Sequence, residues 1–321
     1  MKLGVLTVPL YAKTLEETLQ YLSSLGVQTV ELGAGGYPGA GHLNVAKILS
    51  DDSEVSAIKA LLAQYNMTIS AISCHGNPVH PQKDIAEKFH NEFLNAVLVA
   101  EKLGVDTVIT FSGCPGDSEG SKYPNWVTCS WPEDFGKVLQ WQWDEVLIPY
   151  WKKTAEFCKA HNVTKIAFEM HPGFCVYNTT SLLKLREAVG DSIGANFDPS
   201  HLFWQGMNPT ECIKELAGAI YHFHAKDTRI DHFNTAKKGV LDTGHYGNIL
   251  DRSWVFRTVG YGSDETVWKD MMSALAATGY EGAVSIEHED GLMSVKEGLE
   301  KAIAFLQKVM IFEDAAEMWW A

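Results

Sequence analysis

The chain has 321 residues, of which 46% are hydrophobic and 21% are charged, and 26 Lys and Arg residues against 40 Asp and Glu residues give a formal net charge of −14. This acidic balance disfavours a nucleic-acid partner, because sequence-independent binding to DNA or RNA requires a basic surface. The sequence has neither an apolar run of roughly 20 residues nor the pattern of a signal peptide. We therefore expect no membrane partner and a cytoplasmic location, which also fits six cysteines scattered without a CxxC pair.

Short apolar segments alternate with longer amphipathic segments along the chain. Runs of β-branched and apolar residues predict eight strands, near 2–8, 28–33, 67–74, 106–112, 165–170, 193–198, 220–225 and 283–288. Apolar residues at helical spacing predict eight helices, near 14–25, 53–65, 84–103, 135–161, 179–189, 209–217, 264–278 and 293–310. The chain therefore reads as a repeated strand–helix unit.

Eight such units favour one architecture. Alternating strands and helices require a parallel sheet, and eight repeats can close it into an α/β fold of the (β/α)8 TIM-barrel type. The alternative, an open doubly wound sheet that binds a dinucleotide, needs a glycine fingerprint, and Gly33-Ala34-Gly35-Gly36 has the wrong spacing. We predict a single TIM-barrel domain over 1–321, with enlarged active-site loops after strands four and seven (113–134 and 226–263) and a C-terminal extension (311–321).

Ionisable residues end four successive predicted strands. They are Glu169, Asp198, His224 and Glu287, on strands five to eight. For any one of them a solvated loop start or a helix cap is an alternative role. In a closed barrel, however, all four meet at one mouth, where three carboxylates repel one another unless a cation joins them. This donor set suits one divalent metal ion, Mn²⁺, Mg²⁺ or Co²⁺ ahead of Zn²⁺. We expect only one of His222 and His224 to face the barrel axis, and we choose His224 because it is nearer the strand end.

These residues carry a resemblance to a known family. The segments Glu169-Met170-His171-Pro172, Asn196-Phe197-Asp198-Pro199-Ser200-His201, His222-Phe223-His224-Ala225-Lys226-Asp227 and Ser285-Ile286-Glu287 resemble the xylose-isomerase-like (β/α)8 superfamily, in its sugar and sugar-phosphate isomerase and epimerase branch. The resemblance to its ketose 3-epimerase-like members implies that the four strand-end residues hold one divalent metal and that Glu169 and Glu287 are also the catalytic acid and base. It further implies substrate contact by His201 and a basic residue of the strand-seven loop, here Arg229, that supplements the metal.

The resemblance implies an enzyme of carbohydrate metabolism, a metal-dependent isomerase or epimerase of a sugar or sugar phosphate that works through an enediolate. One glutamate would remove the α-proton and the other return it. A lyase of the inosose-dehydratase type, which shares the proton abstraction and then expels hydroxide, is the alternative. Two more distant alternatives are a non-catalytic sugar-binding protein and an apurinic endonuclease. The endonuclease is disfavoured because strand four ends in Ile109-Thr110-Phe111-Ser112-Gly113, without a histidine for a three-zinc cluster.

Further candidate substrate-binding residues each have a structural alternative. His75 either contacts substrate or satisfies its loop backbone, and Glu31 holds either the far end of the substrate or a histidine behind the metal. His171 is a candidate for orienting the metal ligands. Lys226 and Arg229 either bind substrate oxygens or balance the acidic cluster.

Three tryptophans, Trp126, Trp131 and Trp204, lie on predicted rim segments. They either cover a sugar ring or pack within the loops. The expected partner is thus a small sugar-like molecule, and the sequence leaves open whether the chain is a monomer or a homo-oligomer.

Overall fold

The computed structural model describes residues 1–313, 315 and 317–320. Eight parallel strands close into a barrel, which confirms the predicted fold class. The barrel strands are β1 (Lys2–Leu6), β2 (Thr29–Gly33), β3 (Thr68–Ser73), β4 (Thr107–Thr110), β5 (Lys165–Glu169), β6 (Ile193–Phe197), β7 (Ile220–Ala225) and β10 (Ala283–Ile286). Each strand pairs with its neighbour in the chain, and β10 closes the barrel between β7 and β1.

Helices cover the barrel, and all eight predicted helical segments are helical. The helices are α1 (Leu15–Ser24), α2 (Val45–Ser50), α3 (Asp52–Gln64), α4 (Lys83–Leu103), α5 (Glu133–Trp141), α6 (Ile148–Ala160), α7 (Thr179–Val189), α8 (Pro199–Phe203), α9 (Pro209–Glu215), α10 (His232–Lys238), α11 (Glu265–Ala277) and α12 (Val295–Val309). A π-helical turn, Gln142–Leu147, joins α5 to α6, so these two helices form the one long segment that was predicted. Among the described helices, none combines the length and the apolar character that crossing a bilayer requires.

Three short helices were not predicted, because they are too brief to show a periodic pattern. Their N-terminal ends are fixed by side chains of Asn44, Asp198 and Asp231, which accept hydrogen bonds from backbone N–H groups in the first turns of α2, α8 and α10. Asp198 therefore does cap a helix, through Oδ1. Its second carboxylate oxygen is left for another role.

The long connection after β7 is an ordered structure with its own hairpin. Strands β8 (Asp227–Ile230) and β9 (Trp254–Arg257) pair antiparallel, and α10 lies between them. The carboxylate of Asp227 closes the base of this loop, because its Oδ2 accepts hydrogen bonds from the backbone N–H groups of Gly260, Gly262 and Ser263 and from the indole of Trp268. The predicted C-terminal extension at 311–321 includes residues 314, 316 and 321, which lie outside the described part of the chain.

Alternation along the strands separates an apolar layer from a polar interior. Outward-facing aromatic side chains pack beneath the helices, as in the stack of Phe197 on Phe223, whose ring centroids are 5.5 Å apart. Inside the barrel, buried His222 and His224 have ring centroids 5.6 Å apart. The expectation that only one of them faces the axis is wrong, because side chains two residues apart lie on the same face of a strand.

Candidate metal centre

The four strand-end residues meet at the carboxyl end of the barrel. Glu169 is the last residue of β5, Asp198 follows β6, His224 lies in β7 and Glu287 follows β10. One potential ligand atom from each lies within 4.8 Å of all the others. The structure thus brings together all four residues that the sequence nominated, because the ends of parallel barrel strands converge on one mouth.

Two buried atoms in this group lack hydrogen bonds. Within the described residues, Asp198 Oδ2 and His224 Nδ1 have no hydrogen-bond partner of acceptable geometry. His224 Nδ1 lies 3.1 Å from Glu287 Oε2 and 3.4 Å from Glu169 Oε2. Buried polar atoms are rarely left unpaired. Together with the carboxylates around them, these two atoms have the positions and the chemistry of cation ligands.

Glu31 determines which ring nitrogen of His224 faces the carboxylates. His224 Nε2 lies 3.0 and 2.9 Å from the two oxygens of Glu31. An ionised carboxylate only accepts hydrogen bonds, so Nε2 carries the hydrogen and Nδ1 is the remaining site. Burial lowers the pKa of His224, but Glu31 and Glu287 outweigh burial and hold that pKa well above its usual value. Without a cation Nδ1 therefore holds a proton, which a metal ion would replace.

Glu31 is a buried carboxylate that accepts hydrogen bonds from three side chains. It accepts hydrogen bonds from His224, from the hydroxyl of Ser73 and from Ser285 Oγ at 2.9 Å. Burial raises its pKa, but His224 and His222 lower that pKa more, to about 2. The geometry fits the role of orienting a ligand histidine, and it puts Glu31 beneath the cluster with its oxygens already engaged.

Glu169 is surrounded by histidines. His75 Nε2 lies 2.9 Å from Glu169 Oε2, and His201 Nε2 lies 3.1 Å from Glu169 Oε1 and 3.2 Å from Asp198 Oδ2. Burial raises the pKa of Glu169, but His201, His224 and His75 outweigh burial and hold that pKa well below its usual value. Glu169 is therefore an anion at neutral pH, and its neighbours fix the direction of both its oxygens.

Lys226 is the cation that the strand-seven loop brings to the cluster. Its Nζ lies 2.7 Å from Glu287 Oε2, 3.1 Å from Asp198 Oδ2 and 3.2 Å from Glu289 Oε2, and the residue is 2% exposed. The side chain of Glu287 is only 14% exposed. Burial lowers the pKa of Lys226, but Asp198 and the two glutamates raise that pKa well above its usual value. One ammonium does not balance the buried carboxylates around it, so the site retains an excess of negative charge.

Arg229 does not occupy the place predicted for it. It is exposed, and its guanidinium donates a hydrogen bond to the carbonyl oxygen of Gly262 at 3.3 Å. Residues 227–230 form a strand whose side chains alternate, so that Thr228 points inward to bond Ser200 O while Arg229 points outward. The basic residue of this loop beside the acidic cluster is Lys226.

His171 forms part of the wall above the cluster. Its Nδ1 lies 2.6 Å from Pro172 O, a carbonyl that can only accept, so Nδ1 donates and Nε2 keeps its lone pair. Its ring centroid is 4.1 Å from that of His201. Burial, with His201 as the second cause, lowers the pKa of His171 to about 3. A neutral His171 therefore presents a hydrogen-bond acceptor to a ligand.

A cavity of about 180 Å³ opens onto the cluster. Glu169, Lys226, Glu287 and Glu289 lie on its polar side, whereas Leu6, Val8, Tyr37 and Phe111 line the opposite wall. Sequence reasoning missed Glu289 and this apolar wall. Glu289 has a signal in the sequence, since it stands two residues after Glu287, whereas the apolar wall comes from the ends of three strands, β1, β2 and β4, and the segments after them share no common pattern.

Two other groups of potential ligands overlap with this one. They are Glu31, His222 and His224, and Glu169, His171 and His201. The first group is weaker as a site because the oxygens of Glu31 already accept three hydrogen bonds, and the two ring nitrogens of His222 lie 3.0 Å from Asn196 Oδ1 and 3.1 Å from Ser70 Oγ. The second group lacks the free Nδ1 of His224, which makes the four-residue cluster the strongest candidate.

Comparison with known proteins identifies relatives over the whole chain. The family model described as xylose isomerase-like TIM barrel matches residues 19–309. The chain is 38% identical over 313 residues to the uncharacterized protein YfiH of Bacillus subtilis (strain 168), which covers 97% of this chain and 99% of YfiH. It is 31% identical over 142 residues to an inosose dehydratase of Clostridium botulinum (strain Alaska E43 / Type E3), which covers 43% of this chain and 45% of that enzyme.

Solved structures share the fold at low sequence identity. A probable 3-DHS dehydratase, AsbF from Bacillus anthracis, has a TM-score of 0.66 at 16% identity, with 96% of this chain and 99% of AsbF covered. A D-tagatose 3-epimerase-like protein has a TM-score of 0.63 at 19% identity, with 96% and 98% covered. IolI with a bound zinc atom has a TM-score of 0.63 at 19% identity, with 96% of each chain covered. Epimerases and dehydratases thus share this architecture.

Proposed function

This chain belongs to the xylose isomerase-like TIM-barrel family, and we propose that it is a divalent-metal-dependent isomerase or epimerase of a sugar or sugar phosphate. The observation that carries the proposal is the convergence of Glu169, Asp198, His224 and Glu287 within 4.8 Å at the barrel mouth. The Nδ1 atom of His224 and the Oδ2 atom of Asp198 fit this reading, because both belong to the cluster and neither has a hydrogen-bond partner of acceptable geometry within the described residues.

The same four residues would hold the ion, and oxygen ligands with one imidazole favour Mn²⁺, Mg²⁺ or Co²⁺ over Zn²⁺. A divalent ion held there would supply the positive charge that stabilises negative charge developing on substrate oxygens when an α-proton leaves. The ammonium of Lys226, 2.7 Å from Glu287 Oε2, lies close enough to contribute to the same stabilisation.

Glu169 and Glu287 are proposed as the proton-transfer pair. Both flank His224, and the pKa of each carboxyl group is held below its usual range: burial opposes this, but His201, His224 and His75 outweigh it at Glu169, and Lys226 and His224 do so at Glu287. Each is therefore a carboxylate that can accept a carbon-bound proton. His75 and His201 fix the carboxylate of Glu169 by hydrogen bonds. The other glutamate must hold a proton, taken from solvent, before it can deliver one; delivery to the opposite face of the same carbon gives an epimer, and delivery to the adjacent carbon gives an isomer.

A dehydratase is the second candidate, and one observation favours it. The 31% identity over 142 residues relates this chain to an inosose dehydratase. A dehydratase removes the same α-proton and then expels a β-hydroxyl group as water, so it needs the same base. The two candidates differ in the product: an epimer or isomer retains every oxygen atom, whereas a dehydratase yields an unsaturated ketone or a diketone.

The test is solvent exchange at carbon. Ketoses, ketose phosphates and cyclic polyol ketones are incubated with the full chain and Mn²⁺ in D₂O, the metal is removed, and products are followed by NMR. We expect deuterium at the carbon next to a carbonyl group for at least one substrate class, and loss of this exchange in Glu287→Gln. Glu281→Gln, an exposed glutamate just before β10, is the matched control and keeps the exchange. Exchange that persists in Glu287→Gln contradicts the proposal.

A further inference from the structure

A second cavity lies beside the candidate metal centre. Its volume is about 210 Å³, and His171 and His201 form the end nearest the cluster. His171 also lines the cavity above the carboxylates, so the two cavities share this residue as a wall. The lining comes from the connections after β4, β5, β6 and β7, the last of which contributes through the segment between β8 and β9 and through Trp254 of β9.

Three tryptophans and a tyrosine line this second cavity. They are Trp126, Trp204, Trp254 and Tyr246. The rings of Trp204 and Trp254 stack at 4.6 Å with 5° between their planes. The guanidinium of Arg252 lies 4.7 Å from the ring of Trp254 and 4.1 Å from that of Tyr246. The wall is therefore held in place before any ligand arrives, which limits the entropy that binding would cost.

Two of these tryptophans carry unpaired donors. Within the part of the chain that the structure describes, the Nε1 atoms of Trp126 and Trp204 are shielded from solvent and have no hydrogen-bond partner. Trp204 as a whole is 5% exposed. An unpaired buried donor costs about 1–3 kcal/mol, which a ligand oxygen removes only where it displaces the atoms that shield the indole N–H group. A purely apolar ligand would leave both donors unpaired.

Few charged side chains line this cavity. The lining contains no Lys or Arg, and its one carboxylate, Asp242, already accepts hydrogen bonds from the N–H groups of Gly244 and Ser253 while Lys238 Nζ lies 3.1 Å away. A phosphate or carboxylate group would find no free cation in this lining. The aromatic lining, the indole N–H groups and the free Nε2 of His171 instead suit a ring with apolar faces and hydroxyl groups at its edge.

We propose that this cavity binds a second, uncharged polyhydroxylated ring of the substrate, as in a glycoside or disaccharide whose reacting unit lies at the carboxylate cluster. The proposal deepens the proposed function and rests on it for the position of the reacting unit. Each cavity alone is smaller than the roughly 300–1,000 Å³ of typical ligand sites, whereas the two side by side reach that range. The long connection after β7 then sets substrate size, because it supplies Tyr246 and Trp254.

Binding of non-reacting glycosides tests the proposal separately from catalysis. The full chain is labelled with 5-fluorotryptophan, and its ten tryptophans are followed by ¹⁹F NMR. Methyl glycosides of glucose, galactose, mannose and xylose are the probes, since they carry the ring but no ketone. Resonances are assigned with Trp204→Phe and Trp126→Phe. We expect saturable shifts of Trp126 and Trp204 with at least one probe, and no shift of Trp151 or Trp268, which are fully buried where α6 and α11 pack on the barrel.

A blocking variant provides the control for location. Leu241 lines the cavity but is 62% exposed, so Leu241→Trp fills the entrance without disturbing the core. We expect it to weaken glycoside binding by about tenfold or more, and Glu287→Gln to bind the glycoside as the unaltered chain does. Three results would each overturn the proposal. They are the absence of a saturable shift with any glycoside up to about 100 mM, glycoside binding that is unchanged in Leu241→Trp, and an affinity for cyclohexanol equal to that for the glycosides. Absence of proton exchange in the unaltered chain, with intact glycoside binding, instead counts against the proposed function alone.

Discussion

Replacement of Glu31 by glutamine tests how the barrel interior prepares the candidate metal ligand His224. Glu31 does not belong to the four-residue cluster, but both of its oxygens lie within 3.0 Å of His224 Nε2. Glutamine keeps the shape of the side chain and one oxygen acceptor. It removes the negative charge that makes His224 Nδ1 a stronger ligand for a metal ion. Loss of such a partner typically lowers metal affinity by about 10- to 100-fold, or about 1.4–2.7 kcal/mol.

The position of Glu31 allows the two contributions to be separated. In Glu31→Gln the side-chain oxygen still accepts from Nε2, so the ring keeps its orientation and we expect about a tenfold loss of affinity for Mn²⁺. In Glu31→Ala both the charge and the orienting hydrogen bond are lost, and we expect about a 100-fold loss. Affinity is measured by isothermal titration calorimetry on the full chain at pH 7.

Glu101→Gln is the matched control. It removes a carboxylate that lies 2.8 Å from His161 Nδ1, a histidine–carboxylate contact at the end of α6 whose side chains are partly exposed. This variant binds Mn²⁺ as the unaltered chain does. If Glu31→Gln also binds Mn²⁺ with affinity within about twofold of the unaltered chain, the role assigned to Glu31 is wrong.

Folding must be checked in the same variants, because Glu31 also contributes to stability. Its pKa falls from 4.5 to about 2 on folding, since His224 and His222 outweigh the effect of burial. A carboxyl group with a lowered pKa contributes stability that is present above its unfolded-state pKa and lost as the pH falls toward its folded-state pKa. The glutamine variant is therefore less stable than the unaltered chain at neutral pH, and the difference shrinks between about pH 4.5 and 2. Thermal unfolding followed by circular dichroism measures this difference.

Two further predictions concern charge at the site. The carboxylates hold the pKa of His224 well above its usual value, so its Nδ1 is protonated at pH 7 without metal. Metal binding therefore releases about one proton and weakens as the pH falls. Calorimetry in buffers of different ionisation enthalpy measures the number of protons released, and a value of zero contradicts the assignment of His224 as a ligand. Lys226→Met removes a buried ammonium 2.7 Å from Glu287, so we expect metal affinity to stay the same or rise while proton exchange slows by about 10²–10³-fold. Lys214→Met, which removes a surface ion pair with Glu211, leaves both unchanged, and an unaltered exchange rate in Lys226→Met refutes a role in charge stabilisation.

The convergence of the four strand-end residues follows from local sequence and the geometry of the fold. Each of Glu169, Asp198, His224 and Glu287 ends an apolar run, and a closed parallel barrel collects such ends at one mouth. The eight strands and eight longer helices are visible for the same reason, because each has its own periodic pattern. These features depend on neighbouring residues or on a single topological rule.

Other parts of the site depend on contacts between distant segments. Glu31 and His224 are 193 residues apart in the chain, and their hydrogen bond follows only from the register of the closed barrel. The choice of Lys226 over Arg229 depends on the hairpin that begins at Asp227, whose carboxylate bonds backbone more than 30 residues later. No local pattern announces such a hairpin, which is why the sequence proposed both cations and the structure places only Lys226 at the cluster.

Anomalous X-ray diffraction from crystals soaked in Mn²⁺ tests the central claim most directly. The account predicts one strong anomalous peak enclosed by Glu169, Asp198, Glu287 and the Nδ1 atom of His224. It also predicts that His224 Nε2 stays hydrogen-bonded to Glu31 in the same crystals. Absence of a peak at this position, or a peak deeper in the barrel between Glu31, His222 and His224, would contradict the account.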